Sequence, residues 1–236
     1  MVYLFMYFKG VIFVAGENLV RPKGFKATAQ NFWYHYKFHT IVCFFVIVTL
    51  VVSIAQCSTK TQYDYKIVVA TKSVPLTTQQ INAITNELTP YGKDLNGDGE
   101  VNINLIDCTM SSDTTDYQTT LAKQQKLQSL LMTDTDVMIF ITDLKAFSFI
   151  KNLNDTGFME NLNLPNGDGY YYDFTNTKVI KNAKAKTPDG DKLIWPEFLI
   201  SRRVVKGTLF EGRDGIDQKV SDADAFINRF IDGTKN

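Results

Sequence analysis

Histidine is missing from everything after residue 39, because the chain's two, His35 and His39, both stand near the N-terminus. That absence removes Ser-His-Asp and Cys-His catalysis from the long C-terminal part, along with histidine acid-base work and the zinc sites that need imidazole. Cysteine is scarce as well. Cys43, Cys57 and Cys108 are too few and too scattered for a disulfide framework, and a Cys57 to Cys108 bridge is not expected. Cys108 reads instead as a small buried residue at a strand end. No GxGxxG follows the first strand and no GxxxxGK[ST] occurs anywhere, which argues against nucleotide phosphate binding. A basic stripe is lacking too: Lys178, Lys181, Lys184 and Lys186 with Arg202 and Arg203 read as solvated surface, so nucleic acid is not an expected partner.

What is present begins with an uneven charge. The whole chain balances 25 basic against 25 acidic side chains over 236 residues, enough length for one sizeable core. Residues 1–40 nevertheless carry Lys9, Arg21, Lys23, Lys26 and Lys37 against Glu17 alone, a net charge of +4, and the part from residue 57 onward carries −4. Between them runs "TIVCFFVIVTLVVSIAQC", Thr40 to Cys57, without a charge, a proline or a glycine. Its first sixteen residues would rise about 24 Å as a helix, against a hydrocarbon core of ~30 Å. The preceding "NFWYHYKFH" supplies the remainder, with Phe32, Trp33, Tyr34, Tyr36 and Phe38 beside Lys37 as an interfacial aromatic belt.

The expectation is a single span of the cell membrane over residues 40–57, inserted in the lipid bilayer. The basic, aromatic segment 1–39 then lies in the cytoplasm, a tether covers 58–63, and 64–236 form an extracytoplasmic domain. Gln56 is not the small residue that a cleavage site wants before Cys57, so an uncleaved anchor is expected. The opening "MVYLFMYFKGVIFVAG" is interrupted by Lys9 and Gly10, and each half is too short to span. It is either an interfacial segment or an artefact of start-site choice.

Beyond the tether the pattern alternates. "DYKIVVA" (64–70) suits a buried strand. In "LTTQQINAITNELTPYG", Thr77 with Gln80 resembles a capping box, Ile81, Ile84 and Leu88 line one helical face, and Pro90 with Gly92 ends the helix. "VNINLID" (101–107) alternates as a strand with one less buried face. "DYQTTLAKQQKLQSLLM" (116–132) keeps Tyr117, Leu121, Leu127 and Leu131 on one side. "DVMIFITD" (136–143) is apolar on both faces, the mark of a central parallel strand under helices. The expected fold class is therefore α/β, a transmembrane helix followed by a βαβαβ, mainly parallel sheet with right-handed crossovers. After residue 150, Asn-Gly, Asp-Gly and Pro-Asp-Gly turns separate short apolar pieces, and "LIWPEFLISRRVVKG" is expected to add one or two strands. "SDADAFINRFIDG" closes the chain as an amphipathic helix, with Ser221 as N-cap, Gly233 as C-cap, and Ala223, Phe226, Ile227, Phe230 and Ile231 inward.

One positive chemical signal stands in "YGKDLNGDGEVNINLI". Asp94, Asn96 and Asp98 have the spacing with which calcium loops begin, the Glu100 carbonyl adds a fourth oxygen, and Asn102 holds the ninth position, often filled through water. Calcium is thus a candidate cofactor. The twelfth position is Leu105, a strand residue, so this is no full EF-hand. Equally, Asn96-Gly97 and Asp98-Gly99 make a polar helix-to-strand turn that needs no ion.

"YKIVVATKSVPLTTQQINAI" followed by "LAKQQKLQSLLMTDTDVMIFITDLKAF" resembles the opening lobe of type 2 extracellular solute-binding proteins. The anchor "NFWYHYKFHT", the loop "YGKDLNGDGEVNI" and the helix "QQKLQSLLM" are also similar to single-pass membrane proteins of gut Clostridia, a likeness that implies no activity. The first resemblance implies a ligand side at the carboxyl ends of the strands, near Thr71, Lys72, Asp107, Thr109 and Asp143, where open α/β sheets generally bind. Roughly 180 outer residues hold one such lobe and not two. The expected function is a non-enzymatic, membrane-anchored binding domain for a small molecule or an envelope protein. A calcium-stabilised interaction module is the alternative. A carboxylate hydrolase using residues among Asp134, Asp136, Asp143 and Glu160 is the remote one.

Overall fold

The computed structural model describes residues 24–58, 62–111, 117–153, 157–165 and 168–235. The apolar opening segment with Lys9, Glu17, Arg21 and Lys23 lies outside these, as do tether residues 59–61. The chain divides into two compact units, 1–61 and 62–236.

The described residues of the first unit form one helix, α1 (Phe25–Ser58). It begins fifteen residues before the expected span at Thr40, so the aromatic segment is helical too. Neither proline nor glycine occurs in its 34 residues, and nothing interrupts the backbone ladder once begun. The hydroxyls of Thr49 and Ser53 donate to the carbonyls of Phe45 (2.9 Å) and Thr49 (2.8 Å). Polar side chains satisfied within their own helix are what an apolar surrounding demands. One stretch, Thr28–Ile54, is long and apolar enough to cross a membrane, a description that a membrane span and a signal anchor share.

The second unit is a three-layer α/β domain. Its strands are β1 (Tyr65–Ala70), β2 (Ile103–Asp107), β3 (Val137–Thr142), β4 (Tyr171–Asp173) and β5 (Leu199–Arg202), ordered β2-β1-β3-β5-β4. β1 pairs in parallel with β2 and β3, whereas β5 runs antiparallel to β3 and β4. Four of the five strands therefore point the same way. The helices α2 (Thr78–Leu88) and α3 (Tyr117–Thr133) connect β1 to β2 and β2 to β3, moving opposite ways across the sheet. Crossovers of one hand that move opposite ways put their helices on opposite faces. Ile84 and Leu88 of α2 join Ile67, Val69 and Ile141 in one core, and Leu127 and Leu131 of α3 join Val68 and Phe140 in the other.

Local chemistry explains most boundaries. Thr77 and Gln80 form the expected capping box, the Thr77 hydroxyl accepting from the Gln80 amide and Gln80 Oε1 from the Thr77 amide at 2.8 Å. Of the four residues expected on the inner face of α3, Leu127 and Leu131 are buried, while Tyr117 and Leu121 are exposed. The closing helix α6 (Ile216–Thr234) buries all five expected apolar residues. It starts earlier than expected, at N-cap Gly215 in the left-handed region (φ 71°), leaving Ser221 in its interior. Gly233 is likewise helical and not a cap; a Cβ there would strike the Tyr91 ring. The expected "one or two" strands after residue 193 become one, β5. Two helices went unread, α4 (Leu144–Lys151), capped by Asp143, and α5 (Lys178–Lys186), which buries Val179, Ile180 and Ala183 at helical spacing.

The clearest departure concerns arginine. Arg202 and Arg203, expected on the surface, are 7% and 0% exposed. The Arg203 guanidinium donates to the carbonyls of Leu131 (2.5 Å), Asp134 (2.9 Å) and Val137 (3.1 Å) and lies 4.2 Å from the centre of the Phe210 ring. It thereby satisfies the Leu131 carbonyl in the last turn of α3, which has no helical partner, and two carbonyls of the passage from α3 into β3. Burial pushes its pKa down to about 10. Arg202 Nε pairs with Asp224 on α6 at 2.6 Å, joining that helix to β5. Arg203→Ala should lower unfolding stability by about 3 to 5 kcal/mol, because buried carbonyls lose their donors and a cavity opens. Denaturant unfolding of the chain in detergent measures it, and Arg203→Met should recover part of the loss by refilling the volume.

Candidate functional site

The strand order reverses direction between β1 and β3, since β2 lies on one side of β1 and β3 on the other. At such a point the loops leaving the two strands part and open a crevice at their carboxyl ends. All five residues implied as ligand contacts stand at this end of the sheet. Thr71 and Lys72 follow β1, Asp107 ends β2 with Thr109 just beyond, and Asp143 follows β3. Backbone bonds tie the loops together: Cys108 N–H to Val69 O and Met110 N–H to Thr71 O, each 2.8 Å, and Asp143 N–H to Ala70 O at 3.3 Å.

Asp143 is at the centre of the arrangement and only 2% exposed. Its Oδ1 accepts from the Ala146 amide at 2.7 Å, capping α4. Its Oδ2 accepts from the amides of Lys72 (3.0 Å) and Ser73 (2.9 Å) and from the Ser73 hydroxyl. The chain's own carboxylate thus fills the anion position that the loop and the helix N-terminus create. Thr71 donates its hydroxyl to Val74 O, and Lys72 Nζ sits 3.9 Å from the centre of the Phe149 ring.

Asp107 and Thr109 form a second set. Asp107 Oδ1 accepts from the Thr109 amide (2.8 Å) and hydroxyl (2.7 Å), and Oδ2 accepts from Lys123 Nζ at 2.8 Å. Burial alone would raise the Asp107 pKa, but Lys123 and Thr109 outweigh it and hold the carboxyl below the usual range. Thr109 Oγ1 also accepts from the Leu76 amide at 3.1 Å, which places the start of α2. Cys108 between them is fully buried and unbridged, with its thiol pKa pushed up to about 11 by burial, in keeping with a packed residue at a strand end.

The candidate calcium residues lie at the opposite end, between α2 and β2. Asp94 Oδ1 and Oδ2 accept from the amides of Gly97 (2.6 Å) and Gly99 (2.8 Å), which hold its carboxyl below the usual range. Asn96 Oδ1 accepts from the Asp98 amide and Asp98 Oδ1 from the Glu100 amide. Gly97 and Gly99 take positive φ, 79° and 89°, as the turn requires. Asp64, which the pattern marked only as the start of a strand, is the residue missed here. Its carboxylate accepts from the amides of Leu95, Asn96 and Asn102, fastening the turn to the head of β1. Among the described residues no three His, Cys, Asp or Glu side chains are gathered as a metal-holding group.

A cavity of about 290 Å³ opens at this same end, lined among others by Tyr63, Asp64, Lys66, Asp136, Lys219 and Asp222. Asp136 is its hinge of charge, with Oδ2 2.7 Å from Lys66 Nζ and Oδ1 2.6 Å from Lys219 Nζ. Asp134 adds a longer contact to Lys66 at 3.6 Å. A period-2 reading of β1 could have marked Lys66 as the outward residue in need of a partner, but nothing local names Asp136 as that partner. Comparison of the chain with protein-family models, with curated proteins and with solved structures returns no match.

The two lysines, Lys219 foremost, hold the Asp136 carboxyl below its ordinary pKa. A carboxyl depressed in the folded state adds stability above its unfolded pKa of ~4 and loses that contribution as pH falls through the folded value. The parent chain should therefore lose stability on acidification below pH ~4 more steeply than Asp136→Asn, whose curve lacks this contribution. Thermal midpoints taken from pH 6 down to pH 2.5 compare the two slopes, and parallel curves would remove Asp136 from the acid response.

Proposed function

We propose that residues 62–235 act as a non-enzymatic binding domain outside a cell membrane, anchored by α1 and similar to one lobe of a solute-binding protein. The observation that carries this reading is the reversal of strand order between β1 and β3, with Thr71, Lys72, Asp107, Thr109 and Asp143 gathered at the carboxyl ends. The ligand is a small molecule or an envelope protein. Asp107 and Asp143 count against catalysis, because each carboxylate accepts from the chain's own donors and serves to order loops. Asp136, held between two ammonium groups, is a poor proton carrier, which counts against the hydrolase reading. The basic excess before the span supports a cytoplasmic N-terminus.

Protease added to intact cells should digest the domain, and full protection would overturn the outside placement. A thermal-shift screen of the detergent-solubilised chain against a metabolite library should yield a stabilising compound whose effect falls in Lys72→Ala. A flat screen removes the small-molecule branch and leaves a protein partner.

Calcium on the Asp94–Asn102 turn is a second reading, favoured by the way Asp94 already draws the turn around itself through Gly97 and Gly99. Millimolar calcium should then raise the melting midpoint relative to chelator, and Asp98→Asn should reduce the rise. An unchanged midpoint rejects the ion and leaves the turn closed by its amides and Asp64.

A further inference from the structure

The binding reading leaves α1's side chains unused beyond anchoring. Both histidines of the chain and Cys43 stand on α1 at four-residue steps, His35, His39 and Cys43. Residues four apart share one helix face with Cβ atoms about 5 to 6 Å apart, the spacing at which two imidazoles on a helix grip one metal ion. All three side chains are exposed. Neither histidine makes a hydrogen bond or ion pair among the described residues. Their neighbours are aromatic rings. Tyr34 stands edge-on to His35 at 5.1 Å between centroids, and Tyr36 and Phe38 flank His39 at 6.3 and 6.5 Å. Such ring contacts restrict the imidazoles without consuming their nitrogens. Lys37, two residues from each, projects from the other side of the helix, so its charge does not oppose a cation there.

We propose that His35 and His39 form a two-nitrogen chelate for a borderline divalent transition ion of the zinc, nickel or copper class, with water completing the coordination. Neutral imidazole suits these ions, whereas calcium and magnesium want oxygen ligands. His39 and Cys43 repeat the spacing one turn further on, but Cys43 stands inside the uncharged run, whereas His35 and His39 precede it beside Lys37 in the aromatic interfacial segment, where a hydrated ion is tolerated. The ion therefore sits on the His35–His39 rung. This site does not depend on which side of a membrane either unit occupies.

Isothermal titration of the full chain in detergent with zinc, and separately with nickel, should give one ion per chain. His35→Ala and His39→Ala should each weaken binding about a hundredfold, the order of gain from presenting a second ligand on one scaffold. Cys43→Ser should bind like the parent. Exposed substitutions on one helix should leave its helical circular dichroism unchanged, which separates lost ligation from lost structure. Absence of saturable binding by the parent overturns the proposal, as does parent-like binding by either histidine variant. Loss of binding in Cys43→Ser also overturns it, by moving the ion to the lower rung.

Discussion

Keeping β3 dry is the requirement on which the second unit depends. All six of its residues, Val137 to Thr142, are buried, so both faces of the sheet must be covered at its centre. One side is closed by α2, α5 and α6 and the other by α3 and α4, and each layer supplies what β3 cannot tolerate from water. Phe226, Phe230 and Ile231 of α6 complete the first core, and Phe147 and Ile150 of α4 the second. The antiparallel β5 completes β3's pairing on its far side, and the arginines at and just beyond its end secure the layers. Arg202 reaches α6, and Arg203 finishes the carbonyls where α3 turns into β3.

That same requirement shapes the two ends of the sheet differently. At the carboxyl end, the chain leaves β3 directly into α4, and Asp143 caps that helix while binding the loop after β1. The loops leaving β1 and β3 are consequently braced from within, and Lys72 is left on its aromatic rest against Phe149. At the amino end, charges meet across the cavity, with Asp136 between Lys66 and Lys219 and Asp64 fastening the 94–102 turn. One end is ordered chiefly by amides on a carboxylate, the other by ion pairs and an acidic turn.

Much of this was legible residue by residue. The apolar runs 64–70 and 136–143 announced buried strands, Thr77 with Gln80 announced a helix start, and the spacing of Phe226, Ile227, Phe230 and Ile231 announced a helix face. These signals are local, carried within a few residues by period or by a cap. The helix α5 was hidden because its apolar positions are few among lysines, and α4 because eight residues hardly exceed two turns. Arg203 was misread for a different reason: a charged side chain is surface by default, and its three carbonyl acceptors lie 66 to 72 residues away in sequence.

The sequence by itself determined the long apolar helix, the alternation of strands with helices, and the lack of histidine chemistry beyond it, because composition and period need no partner to be read. Only the tertiary structure decided that Asp143 fills its own loop's anion position, that Asp64 holds the glycine-rich turn, and that an arginine without a carboxylate partner could be buried. Each of those depends on donors and acceptors brought together by the sheet from distant parts of the chain, and no local pattern carries that information.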